Sequence, residues 1–412
     1  MAGDEAIQMR IGLYAKAGHW TGWERIGMKI TGGKIFLAVV ALVGCGIYFG
    51  LPRLGEYARQ RERENLYKPV VQEVVETGRV DRKVFDGLSS DLKQTTIVPS
   101  LQSKLDKGRN VIWCASFDMA WKELKTLSGG DIQVKGAEGT VSLLNNSMIT
   151  AGSLPDQSFY AAAGFIQDGI VGKIHGDMKQ RFPNEPLPSF GDITKDTEII
   201  AYSYLQASLQ FTLPYFDNDA PFVFKTSDGR QTKVTSFGIR KKDDYSYYQL
   251  RKQIEVLYVR YDQDVPVEYV IDLCRNSKPN QIVLACVEPK DTLAQMIEDI
   301  DSRKMEDPEV HREFWPLDIL LVPNQFWKIE HRYRELEGGL IQQAKETIEF
   351  RLNRSGVELK AQSKIHYLPM PRHFVFDRPF LIYMKKRGAE HPYFVAWIGN
   401  EELLTPWAGS GK

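Results

Sequence analysis

Residues 372–400 read RHFVFDRPFLIYMKKRGAEHPYFVAWIGN, two strongly apolar stretches separated by a charged turn. Short apolar runs bounded by charged residues and glycine predict two buried strands joined by that turn. The preceding stretch, LPMPRH at 368–373, contains two prolines. Proline has no N–H to donate to a sheet ladder, so this stretch is predicted to be an exposed loop.

Residues 347–367, TIEFRLNRSGVELKAQSKIHY, alternate between apolar and polar side chains on both sides of a central Arg-Ser-Gly. Ile348, Phe350 and Leu352 share one face of the first half, and the alternation resumes over 357–367. A period of two predicts half-buried strands. The simplest interpretation is an ordinary hairpin that turns at 353–356.

Further from this region, strands dominate after Thr197, with a helix around 291–301 and a hairpin turn at 227–230. Earlier, 110–127 begins as a strand and continues as a helix, and 158–182 is predicted to be a helix closed by Phe182-Pro183. Helices followed by many strands indicate an α+β fold with large antiparallel sheets. The strands predicted before the C-terminal pair are 198–205, 220–226, 231–239, 252–261, 267–274, 281–288, 318–324, 327–333 and 347–352.

Residues 35–51, IFLAVVALVGCGIYFGL, form a run of 17 residues without a charge. A helix of this length reaches roughly 26 Å, close to the ~30 Å hydrocarbon core of a bilayer. With one flanking residue at each end, the sequence predicts one transmembrane helix at 34–52; the alternative is a buried core helix. Gly46 and Gly50 form a GxxxG pair suited to weak helix dimerisation. Lysine and arginine lie on both sides, so the positive-inside rule assigns no orientation to this single-pass membrane protein.

The remaining boundaries follow from this helix. Residues 1–33 are predicted to be a cytoplasmic or interfacial tail, 53–100 a charge-rich helical stalk or linker, and 101–408 the folded domain. The composition, with 43% hydrophobic and 26% charged residues, is that of a globular protein able to bury a full core.

Composition and motifs exclude several classes of function. Lysine plus arginine equals aspartate plus glutamate, 53 each, so no net field favours nucleic acid. The four cysteines and seven histidines show no metal-ligand spacing, and neither a metal nor a cofactor is predicted. Cys114, flanked by Trp, Ala and Phe, is interpreted as a buried small residue rather than a nucleophile. Since no catalytic constellation was found, no enzymatic activity is predicted.

The C-terminal segment resembles the signature and final strand pair of the serpin family. The matching residues are 376–381 (FDRPFL), followed by a charged turn and 393–398 (YFVAWI). Upstream, 214–216 (PYF) with Phe224 and 228–229, and 282–288 with its following helix, are similar in order and spacing. The resemblance covers about 197–400 and implies a serpin-like α+β domain.

The resemblance also implies a reactive-centre loop at 356–373. In serpins a protease cleaves this loop, which then inserts into the main sheet as an extra strand while the protease is trapped. A loop of this kind stores conformational strain for function. By this resemblance the hinge residues are Gly356, Val357, Leu359 and Ala361, and the candidate bait residues are Leu368, Pro369 and Met370.

Departures from the family pattern favour a non-inhibitory scaffold or binding protein. Val357 and Leu359 are bulky where an inhibitory hinge favours small residues, and Pro369 and Pro371 flank the implied bait bond. Burying Val357, Leu359 and Ile365 gains roughly 5–9 kcal/mol in total, comparable to a domain's net stability of about 5–15 kcal/mol. The segment is therefore expected to be already paired in the main sheet. The alternative function is inhibition of a serine or cysteine protease. The predicted binding partner is accordingly a protease or another protein.

Overall fold

The computed structural model describes residues 83–155, 158–190, 198–207, 209–239, 249–306, 312–337, 341, 344–355 and 372–407. Two compact units, 1–80 and 81–412, divide the chain, and all described residues belong to the second. The membrane helix expected at 34–52 lies outside the described residues and stays a prediction. Within the described ranges, no helix is both long enough and apolar enough to cross a bilayer.

Eighteen strands and four α-helices can be assigned within the described residues. The strands are β1 (Phe85–Leu88), β2 (Thr95–Ile97), β3 (Asn110–Cys114), β4 (Phe159–Phe165), β5 (Ile199–Leu205), β6 (Phe216–Asp217), β7 (Phe222–Lys225), β8 (Gln231–Val234), β9 (Ser236–Ile239), β10 (Glu255–Asp262), β11 (Val265–Asp272), β12 (Asn280–Cys286), β13 (Ile319–Pro323), β14 (Gln325–Arg332), β15 (Lys345–Leu352), β16 (His373–Val375), β17 (Phe380–Lys386) and β18 (Phe394–Ile398). The helices are α1 (Ala115–Ser128), α2 (Glu138–Asn145), α3 (Ile170–Arg181) and α4 (Leu293–Glu306).

The core is built on a seven-stranded sheet in the order β10-β11-β12-β17-β18-β3-β2. All five residues of β3 and all five of β18 are buried. Strands that are buried on both faces read as continuous apolar runs rather than as alternation, as they do at 380–384 and 394–398. The C-terminal strand pair predicted from sequence is thus confirmed, with Phe380 opposite Ile398 in the ladder.

The strand-to-helix transition predicted at 110–127 is also confirmed. β3 runs directly into α1, whose Phe117, Trp121 and Leu124 are buried. The helix ends at Gly129, which has a left-handed φ of 69° and donates its N–H to the carbonyl of Thr126. Glycine adopts this conformation without the Cβ strain that other residues meet, so it is a favourable helix terminator.

The prediction of one helix over 158–182 is wrong in its first half. Residues 159–165 (FYAAAGF) form β4, which pairs antiparallel with β5, and only 170–181 are helical. This hairpin lies between two helices, with Phe159 and Ala161 packed against the main core and Tyr160 and Ala162 in a smaller core with α3. Because both faces are covered, the strand shows no polar alternation and its alanines favour a helix by propensity.

The expectation of large antiparallel sheets needs a second correction, because the sheets are mixed. The pairs β1/β14, β2/β3 and β13/β16 are parallel. Residues 83–100, which the sequence assigns to a helical linker, contain the short strands β1 and β2 instead. Strands of three or four residues are too short to show a periodic pattern, and their sheet partners lie far away in the sequence.

Four smaller assemblies complete the described part of the fold: a three-stranded sheet β1-β14-β15, a four-stranded sheet β16-β13-β9-β6, and the hairpins β4-β5 and β7-β8. In β15 the burial alternates strictly, with Ile348, Phe350 and Leu352 inward as predicted. The alternation extends two residues further back than the apolar pattern does, and places Glu346 on the buried face.

Candidate functional site

The hinge and bait residues implied by the serpin resemblance all lie within 356–371, outside the described residues. Gly356, Val357, Leu359 and Ala361, and likewise Leu368, Pro369 and Met370, therefore stay predictions. The structure does describe both ends of this segment, at Ser355 and Arg372. The contacts of these two ends fix the points between which residues 356–371 must run.

The N-terminal end is fixed to the strand region at 215–217. The N–H of Tyr215 donates to the carbonyl of Arg354 at 2.8 Å, and Arg354 Nε donates to the carbonyl of Tyr215 at 2.9 Å. Arg354 Nη1 also lies 3.3 Å from Asp217 Oδ2. Arg354 thus anchors the chain directly after β15.

The C-terminal end is fixed by a buried ion pair at the start of β16. Arg372 Nη2 lies 2.6 Å from Asp318 Oδ2, and the two side chains are 2% and 0% exposed. The backbone N–H of Arg372 donates to Asp318 Oδ1 at 2.9 Å, and its guanidinium lies 3.7 Å from the ring centroid of Trp315. Burial raises the pKa of Asp318 even though Arg372 acts in the opposite direction.

Strands β5 and β15 both contact the start of α1, but they form no ladder with each other. Among the described residues β5 pairs only with β4, and β15 only with β14. Both strands contact the start of α1 through Ser116: Ser203 Oγ of β5 donates to its carbonyl, and its own Oγ donates to Glu346 Oε1 of β15 at 2.5 Å. The two strands are thus connected by side chains and not by backbone hydrogen bonds. We call the space between β5 and β15 the strand gap.

Glu346 joins three elements at the base of the strand gap. Its Oε1 also accepts from the N–H of Phe117 at 3.3 Å, and its Oε2 accepts from the hydroxyl of Tyr333, just after β14, at 3.0 Å. The side chain is buried, and burial raises its pKa to about 7. The apolar pattern of 348–352 does not include this residue, although extending the alternation by one step places Glu346 on the inward face.

A second buried carboxyl, Asp118, lies in the first turn of α1, two residues after Ser116. Its Oδ2 accepts from Trp113 Nε1 at 2.9 Å, and burial raises its pKa to about 7. Neither Asp118 nor Glu346 forms an ion pair with any residue in the described ranges. The charged form of each is therefore disfavoured by burial without a compensating cation.

The structure also describes Cys114, which the sequence raises as a possible nucleophile, and many of the possible metal ligands. Cys114 is buried at the end of β3, and burial raises the pKa of its thiol to about 12, so the nucleophilic thiolate is not available at neutral pH. Its interpretation as a buried small residue is confirmed. Within the part of the chain that the structure describes, no group of three His, Cys, Asp or Glu side chains is placed to hold a metal.

A cavity of about 720 Å³ lies at one end of β12, β17 and β18. Its walls include Arg260, Glu268, Arg378 and Trp397. The two arginines are engaged within the protein: Arg260 Nε lies 2.8 Å from Glu268 Oε2, and Arg378 Nη2 donates to the carbonyl of Val267 at 2.7 Å. Both arginines of this cavity are therefore held by groups of the protein itself.

Among known proteins, those similar to this chain are found by structure and not by sequence. No family model matches the sequence, and no curated protein matches it. Similar solved structures include human thyroxine-binding globulin, with 10% identity, a TM-score of 0.42 and coverage of 71% of this chain and 92% of that one. An Arabidopsis serpin in its native stressed conformation has 11% identity and a TM-score of 0.43, with coverage of 72% of this chain and 93% of that one. The mouse protein Z-dependent protease inhibitor has 12% identity and a TM-score of 0.43, with coverage of 71% of this chain and 91% of that one. Solved serpin structures are thus among those to which this chain is similar, in agreement with the resemblance described for the C-terminal motifs.

Proposed function

We propose that this chain is a serpin-like, non-inhibitory binding or scaffold protein whose strand gap receives residues 356–367 as an additional strand. The observation that supports the proposal is the pair of strands at the gap. β5 and β15 both contact the start of α1, yet each lacks a backbone partner on one edge within the described residues. Backbone N–H and C=O groups at a sheet edge favour pairing with a further strand.

The position of the incoming segment fits this role. It begins directly after Ser355, and Arg354 is held against Tyr215. A chain that turns back at 353–356 runs antiparallel to β15. Its period-two alternation over 357–367 then provides one face toward α1 and one toward solvent.

The non-inhibitory role follows from the energy of that strand. An inhibitory loop must remain exposed until it is cleaved, whereas burial of Val357, Leu359 and Ile365 gains roughly 5–9 kcal/mol. A segment with this preference is most stable inside the gap from the outset. Function then depends on the surfaces of the completed sheet and not on the release of stored strain.

Two matched substitutions test the occupancy of the gap. Leu359→Ala is expected to lower the free energy of unfolding of the full-length chain by about 2–5 kcal/mol, because a buried leucine leaves a cavity when truncated. Lys360→Ala, on the opposite face of the same strand, is expected to change it by less than about 0.5 kcal/mol. Slow hydrogen exchange over 357–365 should accompany this difference. Equal small effects of the two substitutions, with rapid exchange, would contradict the proposal.

A second candidate function, protease inhibition by bait-loop cleavage, is favoured by one observation. The segment 356–371 is held at both ends, by Arg354 and by the buried pair Arg372–Asp318. A loop fixed at both ends can present a bond to a protease without losing its register. The bait residues would then be Leu368, Pro369 and Met370.

Incubation of the full-length chain with serine and cysteine proteases distinguishes the two functions. We expect no SDS-resistant complex, and cleavage within 366–372 without a rise in melting temperature, because the gap is already filled. An SDS-resistant complex, or a large rise in melting temperature after cleavage, would instead support inhibition. Cleavage sites are assigned by mass spectrometry.

A further inference from the structure

The hydrogen bonds around Glu346 can persist when its carboxyl carries a proton. Each hydroxyl that donates to it has a second acceptor within reach: Ser116 Oγ lies 3.2 Å from Cys114 Sγ, and the Tyr333 hydroxyl lies 3.5 Å from the carbonyl of Val98. Either hydroxyl can therefore turn toward its second acceptor and accept a hydrogen bond from the carboxylic acid. The protonated network remains satisfied and connects α1 with β15.

The ionised carboxylate meets a less favourable environment. The groups that face it are Ser116 and Asp118 of α1, Cys114 at the end of β3, Ser203 of β5 acting through Ser116, and Tyr333 with its ring neighbour His331 from the β14 side. Of these, Asp118 is itself acidic and raises the pKa of Glu346 further. Burial lowers the pKa of His331 to about 4, so that imidazole is neutral at neutral pH. No positive charge among the described neighbours offsets the carboxylate.

We propose that Glu346 is a proton-operated latch on the strand gap. With its proton in place, the carboxyl holds β15 against the start of α1; when the proton is released to water, the buried negative charge favours separation of β15 from α1 and entry of water. This inference rests on the proposed function of the gap, because it assigns the control of access to the same space.

The direction of the pH dependence follows from the raised pKa. A carboxyl whose pKa is higher in the closed state than in the open, solvated state binds its proton more tightly when closed. The stability of the closed state is therefore fully present below about pH 4.5 and is lost as the pH rises through about 7. For one linked proton, the opening equilibrium increases by up to about tenfold per pH unit within this window.

Hydrogen exchange of the full-length chain between pH 5 and 9 tests the latch. Protection factors, which remove the intrinsic pH dependence of exchange, are measured for the N–H of Phe117 and for β15. In the unsubstituted chain we expect the protection factors to fall by up to about tenfold per pH unit as the pH rises from 5 to about 7. Glu346→Gln should keep them high and independent of pH.

Glu349→Gln is the matched control, because Glu349 lies on the same strand with a side chain 48% exposed. It should retain the slope of the unsubstituted chain. Asp118→Asn identifies which carboxyl carries the proton: a slope that is abolished in Asp118→Asn but persists in Glu346→Gln overturns the proposal, as does a flat profile in the unsubstituted chain.

A second measurement remains decisive if Glu346→Gln does not fold. The ¹³C carboxyl signal of Glu346 in the unsubstituted chain should titrate near pH 7, and a midpoint below about pH 5 would overturn the latch. Neither readout depends on which segment occupies the gap. A failed Leu359→Ala prediction therefore leaves the latch result standing, and a failed latch leaves the occupancy of the gap untouched.

Discussion

Replacement of Arg372 by methionine is expected to lower the free energy of unfolding by about 3–5 kcal/mol, because it leaves a buried carboxyl without its counter-ion. Asp318 is fully buried, and burial already raises its pKa. Loss of Arg372 also removes the hydrogen bond from its Nε to Asp318 Oδ2 at 3.0 Å and the stacking of its guanidinium on Trp315. Chemical denaturation of the full-length chain, followed by tryptophan fluorescence, measures the loss.

Two further variants locate the cause of that loss. Arg372→Met combined with Asp318→Asn should recover part of the stability, since the uncompensated acid is then absent and replacement of a buried pair by neutral groups is often tolerated. Arg275→Met, at an exposed arginine, should change the stability by less than about 0.5 kcal/mol. If the double variant were less stable than Arg372→Met alone, burial of the unpaired acid would not be the explanation.

Trp327→Ala is expected to lower the free energy of unfolding by about 3–5 kcal/mol, the usual cost of removing a large buried aromatic side chain. Trp327 of β14 is fully buried, and its ring centroid lies 5.5 Å from that of Phe350 in β15 and 6.4 Å from that of Phe394 in β18. Since Phe350 and Phe394 also stack on each other at 4.7 Å, these three rings join the three-stranded sheet to the seven-stranded one. The substitution therefore opens a cavity between two sheets.

Phe326→Ala provides the comparison on the neighbouring residue of the same strand. Its ring is half-buried and is contacted by the cations of Lys83 at 5.4 Å and Arg351 at 5.0 Å. Cation–π contacts at exposed sites contribute about 0.5–1 kcal/mol, so we expect a loss of about 1 kcal/mol. Similar losses for both variants would show that the contact between the sheets contributes little to stability.

Local sequence patterns predicted the elements whose burial is uniform or strictly alternating. The apolar runs of β17 and β18 indicate strands because both faces of each strand are covered. The alternation of Ile348, Phe350 and Leu352 identifies β15 because only one face of that strand is covered. The helical part of 110–127 was predicted equally well, since Phe117, Trp121 and Leu124 recur at helical spacing. In each case the pattern follows directly from which face is buried.

The strand gap and its carboxyls could not be predicted in this way. Ser203 and Ser116 are 87 residues apart, and Ser116 and Glu346 are 230 apart, so their contact is set by the closure of the whole domain. β4 was mistaken for a helix for the same reason, because only its pairing with β5 makes 159–165 a strand. Arg372 and Asp318 are separated by 54 residues, and neither shows locally that it is buried.

The place of β18 in the seven-stranded sheet constrains how the protein is made. This strand, the last among the described residues, lies in the interior of that sheet between β17 and β3. Asn400 is hydrogen bonded to Asn110 across 290 residues. While the ribosome is still adding residues, β3 has no neighbour on this side until residues 394–398 have been translated. A premature stop codon before residue 394 would therefore remove an interior strand of the core.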